Sequence, residues 1–278
     1  MPLYQAVVLA IVQGITEFLP ISSTAHLALV PWLMGWRDPG LTFDVALHLG
    51  TLAAVLVYFV RTWIRLLSQA LGRRGDPKDD FSANPRLFWF LVVATIPGGV
   101  AGLALERYAE STLRSPYVIA ATMIGVGLLL WWSEMKGRLQ KDLDAVSLAD
   151  AAAIGTAQAF AVVPGVSRSG ITIAAGLFRN LERAAAAQFS FLLATPIIGG
   201  AALKAAWNIH RSGGLAPGMR TPFALGILVS AVTGYAAIAF LLRYLQARTL
   251  KFFVWYRVIC GIMILALALF FRDSVMHP

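Results

Sequence analysis

The sequence predicts an all-α, polytopic membrane protein with about six transmembrane helices and two re-entrant helical hairpins in inverted repeats. Three observations lead to this fold class: a low content of charge, several long apolar segments, and two apolar segments that proline and polar residues interrupt. Charged residues make up 13% of the 278 residues and hydrophobic residues 58%, whereas soluble proteins carry roughly 25% charged residues. With a mean hydropathy of +0.71, the chain falls in the membrane class.

Six segments are apolar over a length that can cross a bilayer, which takes about 20 residues in an α-helix. We predict a transmembrane helix in each of them, and we expect residues 1–278 to form a single integral membrane domain. The six segments are Asp44–Arg61, Leu87–Leu105, Pro116–Ser133, Ala184–Ala206, Phe223–Arg243 and Phe252–Phe271.

Two further apolar segments, Leu3–Gly35 and Asp150–Phe178, are interrupted near their middle. Each consists of two helical pieces that are too short to cross a bilayer. Irregular backbone at membrane depth is tolerated only where it packs inside the protein or lines a wet cavity. We therefore predict two re-entrant hairpins with polar tips. The interrupting residues are Glu17, Pro20, Ser22, Ser23, Thr24 and His26 in the first, and Gln158, Pro164, Gly165, Ser167, Arg168, Ser169 and Thr172 in the second.

The two hairpin segments resemble each other. QAVVLAIVQGITEFLPISSTAH and DAAAIGTAQAFAVVPGVSRSGIT each place a glutamine, then a proline, then a cluster of hydroxyl residues. A second similarity relates FWFLVVATIPGG at 88–99 to FSFLLATPIIGG at 189–200. We predict two internal repeats, approximately 1–110 and 145–245, and we expect their glycine pairs to allow close helix approach.

Basic residues collect in the segments Arg61–Arg86, Glu134–Asp150 and Arg243–Lys251, which predicts that these loops are cytoplasmic. Counting spans from them, the first hairpin enters the membrane from outside and the second from inside. The repeats are then inverted, and their polar tips meet near the midplane, as in the sites of secondary transporters. The segment Lys204–Arg220 is an exception, since it falls outside yet holds Lys204, Arg211 and Arg220.

Charge and cysteine content exclude other classes of protein. The net charge of +9 would suggest a nucleic-acid partner in a soluble protein. Here the basic residues lie mostly between apolar segments, where they set topology and contact anionic lipid headgroups, so we expect membrane lipids and no nucleic acid as partners. The single cysteine, Cys260, excludes an intramolecular disulfide and a cysteine-based metal site.

The first hairpin places an acid among amide, hydroxyl and imidazole groups. Glu17 is an ionisable residue within a membrane segment, which makes it a candidate functional residue. Gln13 and Glu17 are four residues apart and share a helix face. Three hydroxyl residues follow at the start of the next helix, where they could also simply cap backbone N–H groups. One further helical turn brings His26 towards the hydroxyls of Ser22 and Ser23.

The second hairpin places a guanidinium at the start of a helix. Arg168 presents a planar fork of donors that suits phosphate oxygens, and a helix N-terminus adds backbone N–H groups and a favourable dipole. Thr172 shares the face of Arg168. Together the two tips predict a phosphate-binding site, in which a carboxylate holds a divalent cation or acts as a base. The alternative is that Glu17 and Arg168 pair only to lock the two hairpins.

The segments QGITEFLPISSTAH and PGVSRSGIT resemble the two signature motifs of the undecaprenyl-diphosphate phosphatase family linked to bacitracin resistance, and the similarity in order and spacing extends over essentially the whole chain. It implies a multi-pass phosphoric anhydride hydrolase of the bacterial inner membrane that hydrolyses undecaprenyl diphosphate and recycles the lipid carrier for peptidoglycan synthesis. It also implies a divalent cation, Mg²⁺ or Ca²⁺, and a site open to the periplasm. The positions of the family's functional residues here are Glu17, Ser23, His26, Ser167, Arg168 and Thr172, while Gln13 occupies a position that varies between Glu and Gln.

From these observations we assign roles by residue. Ser23 or a water attacks the terminal phosphorus, with His26 as general base and later acid. Arg168 neutralises the phosphate, and Glu17, assisted by Gln13, positions the cation. The catalytic residues are Glu17, Ser23, His26 and Arg168; the substrate-binding residues are Ser22, Thr24, Ser167, Ser169 and Thr172; the metal-binding residues are Glu17 and Gln13.

Several alternatives stay open at this point. A polyprenyl-phosphate transporter or flippase would share the inverted repeats and the midplane site. Asp44 and His48 share a face near the predicted outer end of the first span, either as a local pair or as part of the site. We interpret Asp150 as a residue of a cytoplasmic helix end, and a homodimer is possible.

Overall fold

The computed structural model describes residues 1–37, 40–72, 84–110, 113, 115–211, 214–215 and 218–270. Within these residues the chain is helical and contains no β-strand, which confirms the predicted all-α class. The helices are α1 (Leu3–Phe18), α2 (Ser23–Leu33), α3 (Leu41–Tyr58), α4 (Val60–Ala70), α5 (Leu87–Glu110), α6 (Pro116–Lys136), α7 (Leu148–Ala159), α8 (Arg168–Phe178), α9 (Arg183–Arg211), α10 (Arg220–Ala247) and α11 (Lys251–Phe270).

Five helices, α5, α6, α9, α10 and α11, are long and apolar enough to cross a membrane and confirm five of the six predicted spans. The sixth corresponds to α3, after which the chain bends by 73° into α4. The prediction of a loop from Arg61 onward was therefore wrong for its first part, because α4 continues to Ala70. Of the basic residues in that loop, Arg73, Arg74 and Lys78 lie outside the described residues.

The two interrupted segments form the four short helices α1, α2, α7 and α8. Their lengths are 16, 11, 12 and 11 residues, and a single helix of this length does not cross a bilayer. The chain breaks at residues 19–22 in the first segment, and at a 3₁₀ turn, Phe160–Val162, followed by residues 163–167 in the second. The structure thus contains the two predicted hairpins.

Each hairpin packs its first helix against a long helix of the other half of the chain. Helix α1 contacts α10 and α3, α7 contacts α5, and α6 and α11 contact each other. In this arrangement α5 and α10 take corresponding places, each beside the first helix of the other half's hairpin. The repeat bounds, approximately 1–110 and 145–245, stay a prediction. The similarity between 88–99 and 189–200 instead pairs α5 with α9, so it does not follow the packing. The inverted orientation in a membrane stays a prediction.

Aromatic packing fixes the end of α1, next to the break of the first hairpin. Phe18 is fully buried and meets the ring of Phe191 of α9 edge to face, with 5.3 Å between the ring centroids. Phe191 also contacts the ring of Phe59, which follows α3. Edge-to-face pairs of this kind add about 0.5–1.5 kcal/mol beyond the area that they bury. The side chain that precedes Phe18 is therefore held in one place.

The glycine pairs do not act as predicted. An added Cβ at Gly99, Gly199 or Gly200 would meet no atom within 4 Å, so these glycines face open space. At Gly98 the added Cβ would lie 2.7 Å from Nε2 of Gln158. Of the four glycines, only Gly98 makes the close approach that we predicted.

Candidate active site

Glu17 and Arg168 meet where the two hairpin tips face each other. Oε1 of Glu17 accepts a hydrogen bond from Nη2 of Arg168 at 2.8 Å, and the two side chains are 6% and 11% exposed. Nη1 of Arg168 donates to the backbone oxygen of Ser190 at 3.1 Å. A buried ion pair of this kind is weak evidence for stability, because desolvation offsets the attraction between the charges. The predicted meeting of acid and guanidinium is present in the structure.

The second oxygen of Glu17 contacts two further side chains of the first hairpin and one of α3. Oε2 accepts hydrogen bonds from Oγ of Ser23 at 2.7 Å and from Nε2 of Gln13 at 3.1 Å. Nε2 of His48 lies 3.6 Å from the same oxygen. Because the carboxylate accepts the proton of the Ser23 hydroxyl in a short bond, it is placed to remove that proton if Ser23 attacks an electrophile.

A serine with positive φ precedes the second helix of each hairpin. Ser22 has φ 75° and Ser167 has φ 70°, a region that few residues other than glycine adopt. Such a conformation costs about 1–3 kcal/mol and persists only where the surrounding structure enforces it. Oγ of Ser167 accepts a hydrogen bond from the backbone N–H of Gly170 and so caps α8. Oγ of Ser22 instead pairs with Oγ1 of Thr24 and caps no backbone group.

A cavity of about 260 Å³ opens beside the Glu17–Arg168 pair. Both hairpin tips contribute polar groups to its wall, and α3 contributes His48. The ion pair therefore lines a cavity as well as joining the two hairpins. The polar lining residues of the two hairpins are Glu17, Ser22, Ser23, Thr24, Gln158, Ser167 and Arg168.

His26 has other partners than the hydroxyls that the sequence suggested. Its Nδ1 lies 2.7 Å from the backbone oxygen of Ser22, and its Nε2 lies 2.6 Å from the hydroxyl of Tyr256. The rings of His26 and Tyr256 also stack, with 5.6 Å between their centroids. Both ring nitrogens are therefore occupied away from Ser23, and the role of His26 as a general base stays a prediction that this geometry does not favour.

Ser169 and Thr172, predicted to bind substrate, turn towards protein groups. Oγ of Ser169 donates to the backbone oxygen of Leu19, in the break of the other hairpin. Oγ1 of Thr172 donates to the backbone oxygen of Arg168 and pairs with Oγ of Ser190 at 2.7 Å. Since the backbone of Ser190 also accepts from Arg168, these contacts orient the guanidinium. A direct contact of Ser169 or Thr172 with substrate stays a prediction.

Arg257 is a residue of the site region that the sequence reasoning missed. It is fully buried in α11 and donates five hydrogen bonds, all to backbone oxygens. One acceptor is Pro20, in the first break, and two are Gly165 and Val166, in the second. Its guanidinium thus ties the two breaks to each other and to α6. The signal was available, because an arginine inside a predicted span is a candidate functional residue.

The sequence left open whether His48 pairs locally with Asp44 or belongs to the site. Its Nδ1 lies 2.7 Å from the backbone oxygen of Asp44, so the pairing along α3 involves the main chain of Asp44. Its Nε2 faces Glu17, and the side chain lines the cavity. His48 therefore belongs to the site, and only the packing of α3 beside the first hairpin could reveal this.

The donor set suits a cation that the substrate itself helps to bind. Gln13 is fully buried, and its Oε1 has no hydrogen-bond partner. Among the described residues no group of three or more His, Cys, Asp or Glu side chains could hold a metal. Mg²⁺ commonly takes one or two carboxylates, completing its shell with water and substrate phosphates. Glu17 is such a carboxylate and lines the cavity, whereas Gln13 bonds to Glu17 without lining the cavity. Gln13 as a metal ligand stays a prediction.

Comparison with known proteins agrees with the motifs at the two tips. The family model described as "Bacitracin resistance protein BacA" matches residues 6–263. The chain is 51% identical over 267 residues to the undecaprenyl-diphosphatase of Desulforudis audaxviator, covering 96% of this chain and 98% of that protein. It is 48% identical to the proteins of the same name from Pelotomaculum thermopropionicum (96% and 97% covered) and Moorella thermoacetica (96% and 98% covered). The chain belongs to the bacitracin resistance protein BacA family, as the motif resemblance predicted.

Proposed function

We propose that this protein hydrolyses undecaprenyl diphosphate to undecaprenyl phosphate and inorganic phosphate. The names of its relatives suggest this substrate. The observation that carries the proposal is the cavity at which Arg168 and the Ser23 hydroxyl both contact the buried carboxylate of Glu17. One cationic donor group, one hydroxyl and one base at a single cavity are the groups that phosphoryl transfer requires.

Arg168 binds the phosphate that is cleaved. A guanidinium has five N–H donors, and protein groups occupy two of its nitrogens, one through Glu17 and one through Ser190. A diphosphate entering the cavity competes with Glu17 for the guanidinium, and the backbone N–H groups at the start of α8 add a favourable dipole. As Arg168 turns to the phosphate, Oε1 of Glu17 loses its partner and the carboxylate becomes a stronger base.

Two nucleophiles are compatible with this geometry. In the first route Oγ of Ser23 attacks the terminal phosphorus and passes its proton to Glu17, undecaprenyl phosphate leaves, and water later cleaves the phosphoserine. In the second route Glu17 takes the proton of a water that attacks the same phosphorus directly. Either way the bond between phosphorus and the bridging oxygen breaks, and undecaprenyl phosphate carries that oxygen away.

The nucleophile can be identified with the variant S23A. If Ser23 attacks, S23A loses turnover and a rapid acid quench of the wild type yields a phosphoserine in the peptide that contains residue 23. Full turnover by S23A would exclude the first route and leave the water. The matched control is S22A, because Ser22 lines the same cavity but bonds to Thr24 and not to Glu17.

A divalent cation, Mg²⁺ or Ca²⁺, is part of the proposal. When bound it neutralises phosphate charge and orients the terminal phosphate. Glu17 and Gln13 would hold it, and the unpartnered Oε1 of Gln13 supports the second assignment.

The test of the function is phosphate release from undecaprenyl diphosphate by purified protein in detergent. We expect turnover that excess chelator suppresses and that added Mg²⁺ or Ca²⁺ restores. Absence of phosphate release under all of these conditions would reject the hydrolase. Release that persists in excess chelator would remove the cation from the proposal and leave the hydrolase intact.

We further propose that the protein is a multi-pass protein of the bacterial inner membrane whose site faces the periplasm, where it recycles the carrier for cell-wall synthesis. The apolar helices and the basic loops between them support this placement. Transport of polyprenyl phosphate is the alternative, and a liposome assay separates the two, because a transporter moves labelled lipid without releasing phosphate. A homodimer remains a prediction.

A further inference from the structure

The cavity beside the ion pair has an apolar wall that the hydrolysis of a phosphate does not need. The polar lining residues come from the hairpin tips, from α3 and, with Gln158, from the end of α7. Apart from Gly98, which lies against Gln158, the rest of the wall comes from α5, the 3₁₀ turn and α9. We name this second part the apolar wall. Its residues are Gly102, Ala161, Val162, Ile197, Ile198 and Ala201.

The apolar wall reaches the outer surface of the helix bundle. Ala201 is itself exposed, and no atom lies within 4 Å of the position that a Cβ would take at Gly102. Leu103, which follows Gly102 in α5, is 74% exposed. A large apolar side chain exposed to this degree on a membrane helix faces lipid. The cavity therefore opens at the outer surface of the bundle beside α5 and α9.

We infer that the apolar wall receives the first isoprene units of the substrate, and that the chain leaves the cavity between Gly102 of α5 and Ala201 of α9. This inference rests on the proposed function. A cavity of about 260 Å³ is below the roughly 300–1,000 Å³ that holds a drug-sized ligand, so most of a 55-carbon chain stays in lipid. The cavity wall is charged at the hairpin tips and apolar at α5 and α9. This order matches a substrate with an anionic end followed by an apolar chain.

Kinetics of the variant G102L test the inference. No atom lies within 4 Å of the position of an added Cβ at Gly102, so we expect a leucine side chain to enter the opening and block the chain while the protein still folds. We expect kcat/KM for farnesyl and undecaprenyl diphosphate to fall at least tenfold. The matched control is G99L, one turn away on α5, where an added Cβ also meets no atom within 4 Å but the residue does not line the cavity; it should retain wild-type kinetics.

Substrate protection provides a second readout that does not depend on turnover. The native Cys260 is buried, so a small thiol reagent should modify the introduced cysteine of G102C and of G99C. Farnesyl diphosphate should slow modification in G102C at least tenfold and leave G99C unaffected. Inorganic pyrophosphate, which has no chain, should protect neither.

The outcomes separate the inference from the function on which it rests. If the wild type releases no phosphate from either diphosphate, the proposed function fails, and the protection experiment still tests whether a prenyl chain lies at Gly102. If the wild type is active and G102L matches G99L in kcat/KM, or farnesyl diphosphate protects both cysteines equally, the chain follows another path and the inference is wrong.

Discussion

Glu17 and Asp150 are both buried carboxylates paired with guanidinium groups, and they differ in what lies beside them. Glu17 bonds to Arg168, Ser23 and Gln13 at the wall of a cavity. Asp150 has no exposed surface, and its partners are Arg179, Lys141 and the N–H and hydroxyl of Ser147.

The two clusters therefore serve different purposes. Asp150 completes a capping box with Ser147 at the start of α7 and ties it to Arg179 at the end of α8. Every contact there closes the base of the second hairpin. Two partners of Glu17, Ser23 and Arg168, instead line the cavity together with it. The cavity, and not the buried ion pair itself, is therefore what singles out Glu17 for the proposed chemistry.

The largest expected difference is between the variants R168A and R179A. Removing Arg168 takes away the group that neutralises charge on the transferred phosphate, and we expect turnover to fall by about 10³-fold. Arg179 is farther from the chemistry, and R179A should keep turnover within about twofold. Phosphate release per folded protein measures both, with size-exclusion chromatography to establish folding. An equal loss of turnover in R168A and R179A would contradict the different roles of the two clusters.

A smaller but more informative difference is expected between E17Q and D150N, which remove one charge each. E17Q deprives the nucleophile of its base, and we expect kcat to fall by about 10²–10⁴-fold with little change in thermal unfolding. D150N loses the capping box and leaves two cations without their carboxylate, which costs about 1–3 kcal/mol of stability. It should unfold at a temperature lower by several degrees and keep its turnover. A stable but inactive D150N, or an active but unstable E17Q, would contradict the roles of the two carboxylates.

The smallest expected effect concerns acid and Asp150, which lies in the first turn of α7, outside the five long spans. Burial raises the pKa of this carboxyl, but hydrogen bonds from Ser147, Lys141 and Arg179 lower it more, so that the pKa is about 2 against an ordinary 3.8. The charged form thus stabilises the fold above about pH 4, and this contribution disappears as the pH falls towards 2. Melting temperatures of the wild type and D150N should converge over that range, and a constant gap would rule the mechanism out.

Much of the fold could be predicted because its signals are local. Runs of about 20 apolar residues predicted the spans α5, α6, α9, α10 and α11, and proline among polar residues predicted both breaks. The bend after Tyr58 was not predicted, because the apolar segment continues through it and α4 follows with basic residues that resemble a loop. The glycine pairs misled for a similar reason, since a sequence pattern does not say which way a helix face points.

The order of residues along the chain was enough to establish the membrane class, the two broken segments and the chemical identity of the tips, Glu17 with its hydroxyls and Arg168 with its helix start. Which groups share the cavity depended on the packing of the helices. That packing brought His48 of α3 to Glu17, placed Arg257 of α11 between the two breaks and turned His26 towards Tyr256. The difference is one of range: apolar length and helix capping act between neighbours in the chain, whereas contacts between residues such as His26 and Tyr256, 230 positions apart, depend on how whole helices pack.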